Sequence, residues 1–201
     1  MKLKAIATLI AIVAVGTNFR INFTYAGTPS TSLTVNSNLT MGTCTAKILN
    51  SSDTEINIVA FNDVYISELA AKSKVQKFKI RFSNCSGLPQ NSAQVVLAPR
   101  GINCAGSNSN SSGFANKLSG TGAAGRTAVE VWTTDTPEGN GSAQFNCYLR
   151  NVMTVNLPTD TTTQPFDYKL SARMTVAEGR TTADVTPGEF LSPTTFTITY
   201  Q

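Results

Sequence analysis

Four cysteines, Cys44, Cys85, Cys104 and Cys147, carry the most specific chemistry in this 201-residue chain, and histidine is absent. Without an imidazole there is no His-containing triad, no His general base and no His-ligated metal. No two cysteines stand as Cys-x-x-Cys, so the usual spacing of redox and zinc-knuckle sites is missing. What remains is disulfide formation, which requires an oxidising compartment. Four cysteines allow three pairings. Their order favours Cys44–Cys85 and Cys104–Cys147, each closing a loop that contributes up to roughly 4 kcal/mol by restricting the unfolded chain.

The remaining polar residues make a poor catalytic set. Asp53 with Glu55, Asp135 with Glu138, Asp160 and Asp167 stand among turn-forming residues and read as loop positions rather than carboxylate dyads. Serine and threonine are abundant, but Ser67 is followed by Glu68, Leu69 and Ala70, so no Ser-x-x-Lys heads the one helical stretch. An enzyme is therefore the weakest reading, and neither a cofactor nor a metal is expected. The formal net charge of +4 is too weak a field to argue for nucleic acid.

Targeting comes next. Lys2 and Lys4 precede an apolar run from Ala5 to Val15. A membrane-spanning helix needs about 20 apolar residues, so this short run with a basic start reads as a secretory signal peptide. Small residues place cleavage after Ala26 or after Gly16. Removing 1–26 deletes three cations and no acid, which leaves 175 residues at +1. No acidic partner is then implied.

The elements that must hold the cysteines are strands. The 28 Thr, 14 Gly and 8 Pro suit an all-β domain. Leu33, Val35, Leu39 and Met41 alternate with polar residues, and Ser37 is the one polar side chain in their phase. Cys44, Ala46 and Ile48 continue as a strand. Glu55 to Ile66 reads as one bulged strand or two short ones, and Ser67 to Ser73 as a short helix. Phe78, Ile80 and Phe82 face inward while Lys77, Lys79 and Arg81 face water. Cys85 falls on the opposite parity, so a bulge is required near Asn84. Further strands are expected at 94–98, at Val129 to Trp132 with Trp132 in the core, at 152–157, over Tyr168 to Val176, and over Phe196 to Tyr200. The polar stretch 101–125 reads as a mobile surface loop pinned by Cys104. Short strands with turns about every ten residues indicate a sandwich of immunoglobulin type in one domain.

The two ends are the informative part. The last strand runs to Gln201, so no residues remain for a strand beyond it, and an unpaired apolar edge is expected there. A strand supplied by another chain would satisfy both its hydrogen bonds and its buried face. Burying Leu33, Val35, Leu39 and Met41 would contribute on the order of 6–12 kcal/mol before ordering costs.

At this point the chain resembles the pilin subunits of chaperone–usher fimbriae, the type 1 family of Gram-negative bacteria, as an atypical or minor member. The resemblance is carried by Leu170-Ser171-Ala172-Arg173, Thr186-Pro187-Gly188 and Phe196-Thr197-Ile198-Thr199-Tyr200-Gln201 at the C-terminus. Phe78-x-Ile80-x-Phe82-x-Asn84-Cys85 adds to it, as do Gly188 fourteenth from the end and Tyr200 next to last. It implies an incomplete immunoglobulin-like sandwich at 42–201 that lacks its final strand, preceded by a donor extension at 27–41 and a signal peptide at 1–26. Leu33, Val35, Ser37, Leu39 and Met41 would form the donor strand, with Ser37 where that family usually has glycine. Phe196, Ile198, Tyr200 and Gln201 would form the edge that a periplasmic chaperone and then a neighbouring subunit engage, and Gly188 would be the family's turn glycine. Cleavage after Ala26 fits the usual length of the extension. The implied partners are the chaperone, an outer-membrane usher, neighbouring fimbrial subunits and a host receptor or glycan. The implied route is export through the periplasm to a cell-surface fimbria that supports adhesion. The alternative is a secreted single-domain adhesin that uses its 101–125 loop.

Overall fold

A computed structural model describes residues 36–37, 42–107 and 110–201. The chain divides into two units, Met1–Asn38 and Leu39–Gln201. In the first, Asn36 and Ser37 are exposed and outside regular structure. The expected signal peptide and Leu33, Val35, Leu39 and Met41 lie outside the described residues.

The second unit is all-β apart from one helical turn and a half. Its strands are β1 (Thr43–Asn50), β2 (Val75–Ser86), β3 (Ser92–Pro99), β4 (Cys104–Ala105) and β5 (Gly113–Ala115). They continue with β6 (Thr127–Thr133), β7 (Gln144–Phe145), β8 (Met153–Asn156), β9 (Phe166–Val176) and β10 (Thr194–Tyr200). The helix α1 (Ile66–Ala71) precedes β2, and a 3-10 turn covers Thr182–Asp184. The larger sheet runs β1-β2-β9-β6-β5-β4, with β7 also on β6, and the smaller runs β10-β3-β8. All the strand pairs are antiparallel.

Phe78, Ile80 and Phe82 of β2 are buried against Val95 and Leu97 of β3, Leu170 and Ala172 of β9, and Phe145. The inward aromatic residues of β10 meet this core in two edge-to-face contacts and one tilted one. Phe196 lies 6.4 Å from Phe78 and 5.9 Å from Phe145 between ring centroids, and Tyr200 lies 6.4 Å from Phe82. These contacts join the two sheets. The bulge required by the parity of Cys85 is present: Asn84 has φ +52°, and the register between β1 and β2 shifts between Thr43 and Thr45. The disulfides pair Cys44 with Cys85 and Cys104 with Cys147, as their order favoured.

Four expectations are corrected. Asp167 is on β9, not in a loop, and sits opposite Arg81 of β2. Arg81 Nε donates to it at 2.6 Å and Lys79 Nζ at 2.7 Å. The 101–125 stretch is more than a mobile connection, because β4 and β5 within it extend the larger sheet. Trp132 is not in the core. Val129 and Val131 take the inward phase of β6, so the indole falls on the outer face, half-buried, with the Arg173 guanidinium carbon 5.2 Å from its ring centre. Finally, Glu55 to Ile66 is not a strand: its one bridge joins Glu55 to Leu49, and 57–64 run on without regular structure before α1.

The outer-face charges give a pH dependence. The Arg81 guanidinium, hydrogen-bonded to Asp167, helps hold its carboxyl down to about 2. A carboxyl depressed by folding stabilises fully above its unfolded value near 3.9, and that contribution is lost as pH falls through about 2. Asp167→Asn is therefore expected to cost on the order of 1–2 kcal/mol at pH 6 in urea unfolding. The difference from the native chain should close as the pH approaches 2. A gap that persisted at pH 2 would place the loss in packing rather than charge.

Candidate functional site

The charged clusters among the described residues are ion pairs on the outer face of the larger sheet, and no group of three or more Cys, Asp or Glu side chains among those residues could hold a metal. The feature that stands out is an open groove. Strand β10 pairs with β3 on one side, from Thr194 opposite Pro99 to Tyr200 opposite Ala93. Gln201 extends this ladder, its N–H donating to the Ser92 carbonyl at 2.9 Å. The other edge of β10 has no strand partner among the described residues. Phe196, Ile198 and Tyr200 alternate with exposed threonines and are only half-buried, although they pack on the core. In a sandwich the inward residues of a strand with this pattern interdigitate with the facing sheet to form the core.

Beside that edge lies a groove of about 1530 Å³. Its floor includes Phe78, Leu97, Val131 and Phe196, and Ile48 of β1 borders it. Residues 57–66 also line it, and no backbone hydrogen bond is formed by 57–64 with the rest of the described chain outside regular elements. This segment carries Ile58, Val59, Phe61 and Val64, the residue types of a strand. Of the seven large hydrophobics exposed among the described residues, Ile58, Tyr65, Ile66 and Leu191 line this groove. The other three, Tyr148, Leu149 and Val152, cluster at the turn before β8. A trough with an apolar floor, an unpaired strand edge on one side and unpaired irregular backbone near the other has the features that accept an extended peptide.

The expected edge residues Phe196, Ile198 and Tyr200 share one face of β10 and Gln201 continues its ladder, but of the four only Phe196 lines the groove. Of the expected donor residues, only Ser37 is described, and it is exposed. Sequence reasoning missed the rim residues Ile58, Tyr65, Ile66 and Leu191. For the first three the available signal is the apolar content of Glu55 to Ile66, which periodicity alone renders as one bulged strand or two short ones.

Gly188 lies in the loop that leads to β10, at φ +152°. A Cβ there would come within 2.3 Å of the Gly122 carbonyl oxygen and 2.6 Å of the Ala123 carbonyl carbon. That close approach lets Glu189 N–H donate to Gly122 O at 2.7 Å and Ala124 N–H to Glu189 O at 2.9 Å. Because 186–193 line the groove, Gly188 fixes one end of it. Gly188→Ala is expected to cost about 2 kcal/mol or more, read as a lowered melting temperature. An unchanged melting temperature would show that 122–124 yield freely.

The chain is 43% identical over 176 residues to the uncharacterized fimbrial-like protein YadL of Escherichia coli (strain K12), covering 88% of this chain and 87% of that protein. Among solved structures, the P pilus rod subunit PapA matches with a TM-score of 0.47 and 18% identity, over 79% of this chain and 99% of that one. No protein-family model matches the chain.

Proposed function

The chain belongs to the family of that fimbrial-like protein, and from this premise we propose that it is a structural subunit of a cell-surface fimbria, joined head-to-tail by donor-strand exchange. The observation that carries the reading is the groove. An unpaired β10 edge and the unpaired segment 57–64 border an apolar trough within one domain. Residues 28–41 of a neighbouring copy supply the alternating Leu33, Val35, Leu39 and Met41 that such a trough accepts. Each copy has one donor and one groove, so the contact is heterologous and grows a filament rather than closing a dimer.

Before assembly, a periplasmic chaperone lends its own strand to the same edge, and an outer-membrane usher is the place of exchange. Export follows from the signal peptide at 1–26, with 27–41 as donor extension and 42–201 as the receiving domain. The filament supports adhesion at the bacterial surface.

Hydrogen exchange tests this. Adding a synthetic 28–41 peptide to the chain is expected to slow the amides of 195–200 and 57–64 by at least about 100-fold at saturation, because two new ladders form. Amides of β8, on the far edge of the smaller sheet, should change little. Equal rates with and without peptide would contradict the proposal.

A further inference from the structure

Three buried side-chain polar atoms lack a hydrogen-bond partner among the described residues, and two of them, Thr127 Oγ1 and Ser192 Oγ, belong to residues lining the groove. Buried hydroxyls are normally paired, and leaving one unpaired is costly. Thr127 is 5% exposed and stands on β6 in phase with the inward Val129 and Val131. Ser192 stands two residues before β10. The groove, whose lining also includes Asn57, Asn62, Arg100 and Lys117, therefore holds two buried hydroxyls whose hydrogen-bonding capacity is unmet among the described residues.

The segment proposed to fill the trough has the reciprocal feature. Between Val35 and Leu39, in the phase that carries Leu33 and Met41, stands Ser37. A serine driven into an apolar groove would lose its water without replacement, a penalty that an alanine would not incur. A hydroxyl both donates and accepts, so each unmet group can satisfy the other. Resting on the donor-strand reading above, we propose that Ser37 of the incoming copy hydrogen-bonds the Thr127 and Ser192 hydroxyls of the receiving copy. The pairing makes these residues a specificity device. It rewards a donor with a small hydroxyl at this position and penalises one that brings an alkyl group there.

The test is a double-mutant cycle with the exported chain, its Thr127→Val/Ser192→Ala variant, and two synthetic peptides, native 28–41 and the same peptide with Ser37→Ala. Valine keeps the shape of threonine, so the variant should melt no lower than the native chain, and this is checked first. Ser37→Ala is expected to weaken binding to the native chain about tenfold and to change binding to the variant less than about twofold. If the alanine peptide binds the native groove equally well or better, or loses the same factor against both proteins, the pairing is overturned while the donor reading stands. If neither peptide binds either protein, the donor reading fails and the pairing with it.

Discussion

Appending residues 28–41 after Gln201 through a short flexible linker is expected to raise the melting temperature of the 42–201 domain by on the order of 10 °C and to hold it monomeric. The four apolar side chains contribute on the order of 6–12 kcal/mol in burial, and ordering the strand takes back part of it. A net gain of about 3 kcal/mol is enough, because about 1 kcal/mol moves the melting temperature of a domain this size by 2–4 °C. The gain should come with full burial of Phe196, Ile198 and Tyr200, which are half-buried now. Replacing Leu33 and Leu39 by aspartate in the appended copy should abolish it, since a carboxylate cannot be buried there without a partner. A domain that melts at the same temperature with either tail would show that the edge of β10 needs no strand.

The second large effect is on assembly. A self-complemented chain that keeps its own N-terminal 28–41 has a filled groove and a free donor. A 42–201 chain has a free groove and no donor. Mixed, the two are expected to form a 1:1 complex that does not grow, whereas the chain with both parts forms long polymers. Light scattering with mass determination separates these outcomes. Leu39→Asp in the free donor should return the mixture to monomers. Larger species from the mixed pair would mean that a surface other than groove and donor joins the copies.

Much of this was legible in the sequence because strand periodicity reports which face is buried. Phe78, Ile80 and Phe82 on β2, Leu170 and Ala172 on β9, and Phe196, Ile198 and Tyr200 on β10 all face where their alternation places them. The parity break at Cys85 foretold the Asn84 bulge. The failures have physical causes. Residues 57–64 have strand-forming side chains but no ladder partner within the described chain, and composition cannot say whether a partner exists. The strands β4 and β5 are two and three residues long, too short to show a period, and the Cys104–Cys147 bridge holds that region. Trp132 was expected in the core, although parity with Val129 and Val131 sends it outward. On that outer face it stacks with Arg173, which is 4% exposed because Glu130 and Glu138 pair with it, Glu130 at 2.7 Å. No local pattern announces a buried arginine within a regular alternation, because its partners come from β6 and from the loop after it. The orphan hydroxyls of Thr127 and Ser192 belong to the same class, being defined by what surrounds them rather than by their neighbours in sequence.

The relation to the fimbrial-like protein of Escherichia coli spans most of both chains, and it points away from the enzymatic readings that the missing histidine and scattered acids already disfavoured. What the groove adds is a physical reason for association. An edge strand with a half-buried apolar face is an aggregation hazard unless something covers it.

The most direct measurement is a high-resolution structure of the assembled form. It should show residues of the 28–41 segment of one copy lying extended between β10 and the 57–64 segment of the next. Leu33, Val35, Leu39 and Met41 should point into the trough over Phe78, Val131 and Phe196. A polymer whose grooves were unfilled, or were closed by any segment other than 28–41 of a neighbouring copy, would contradict the account.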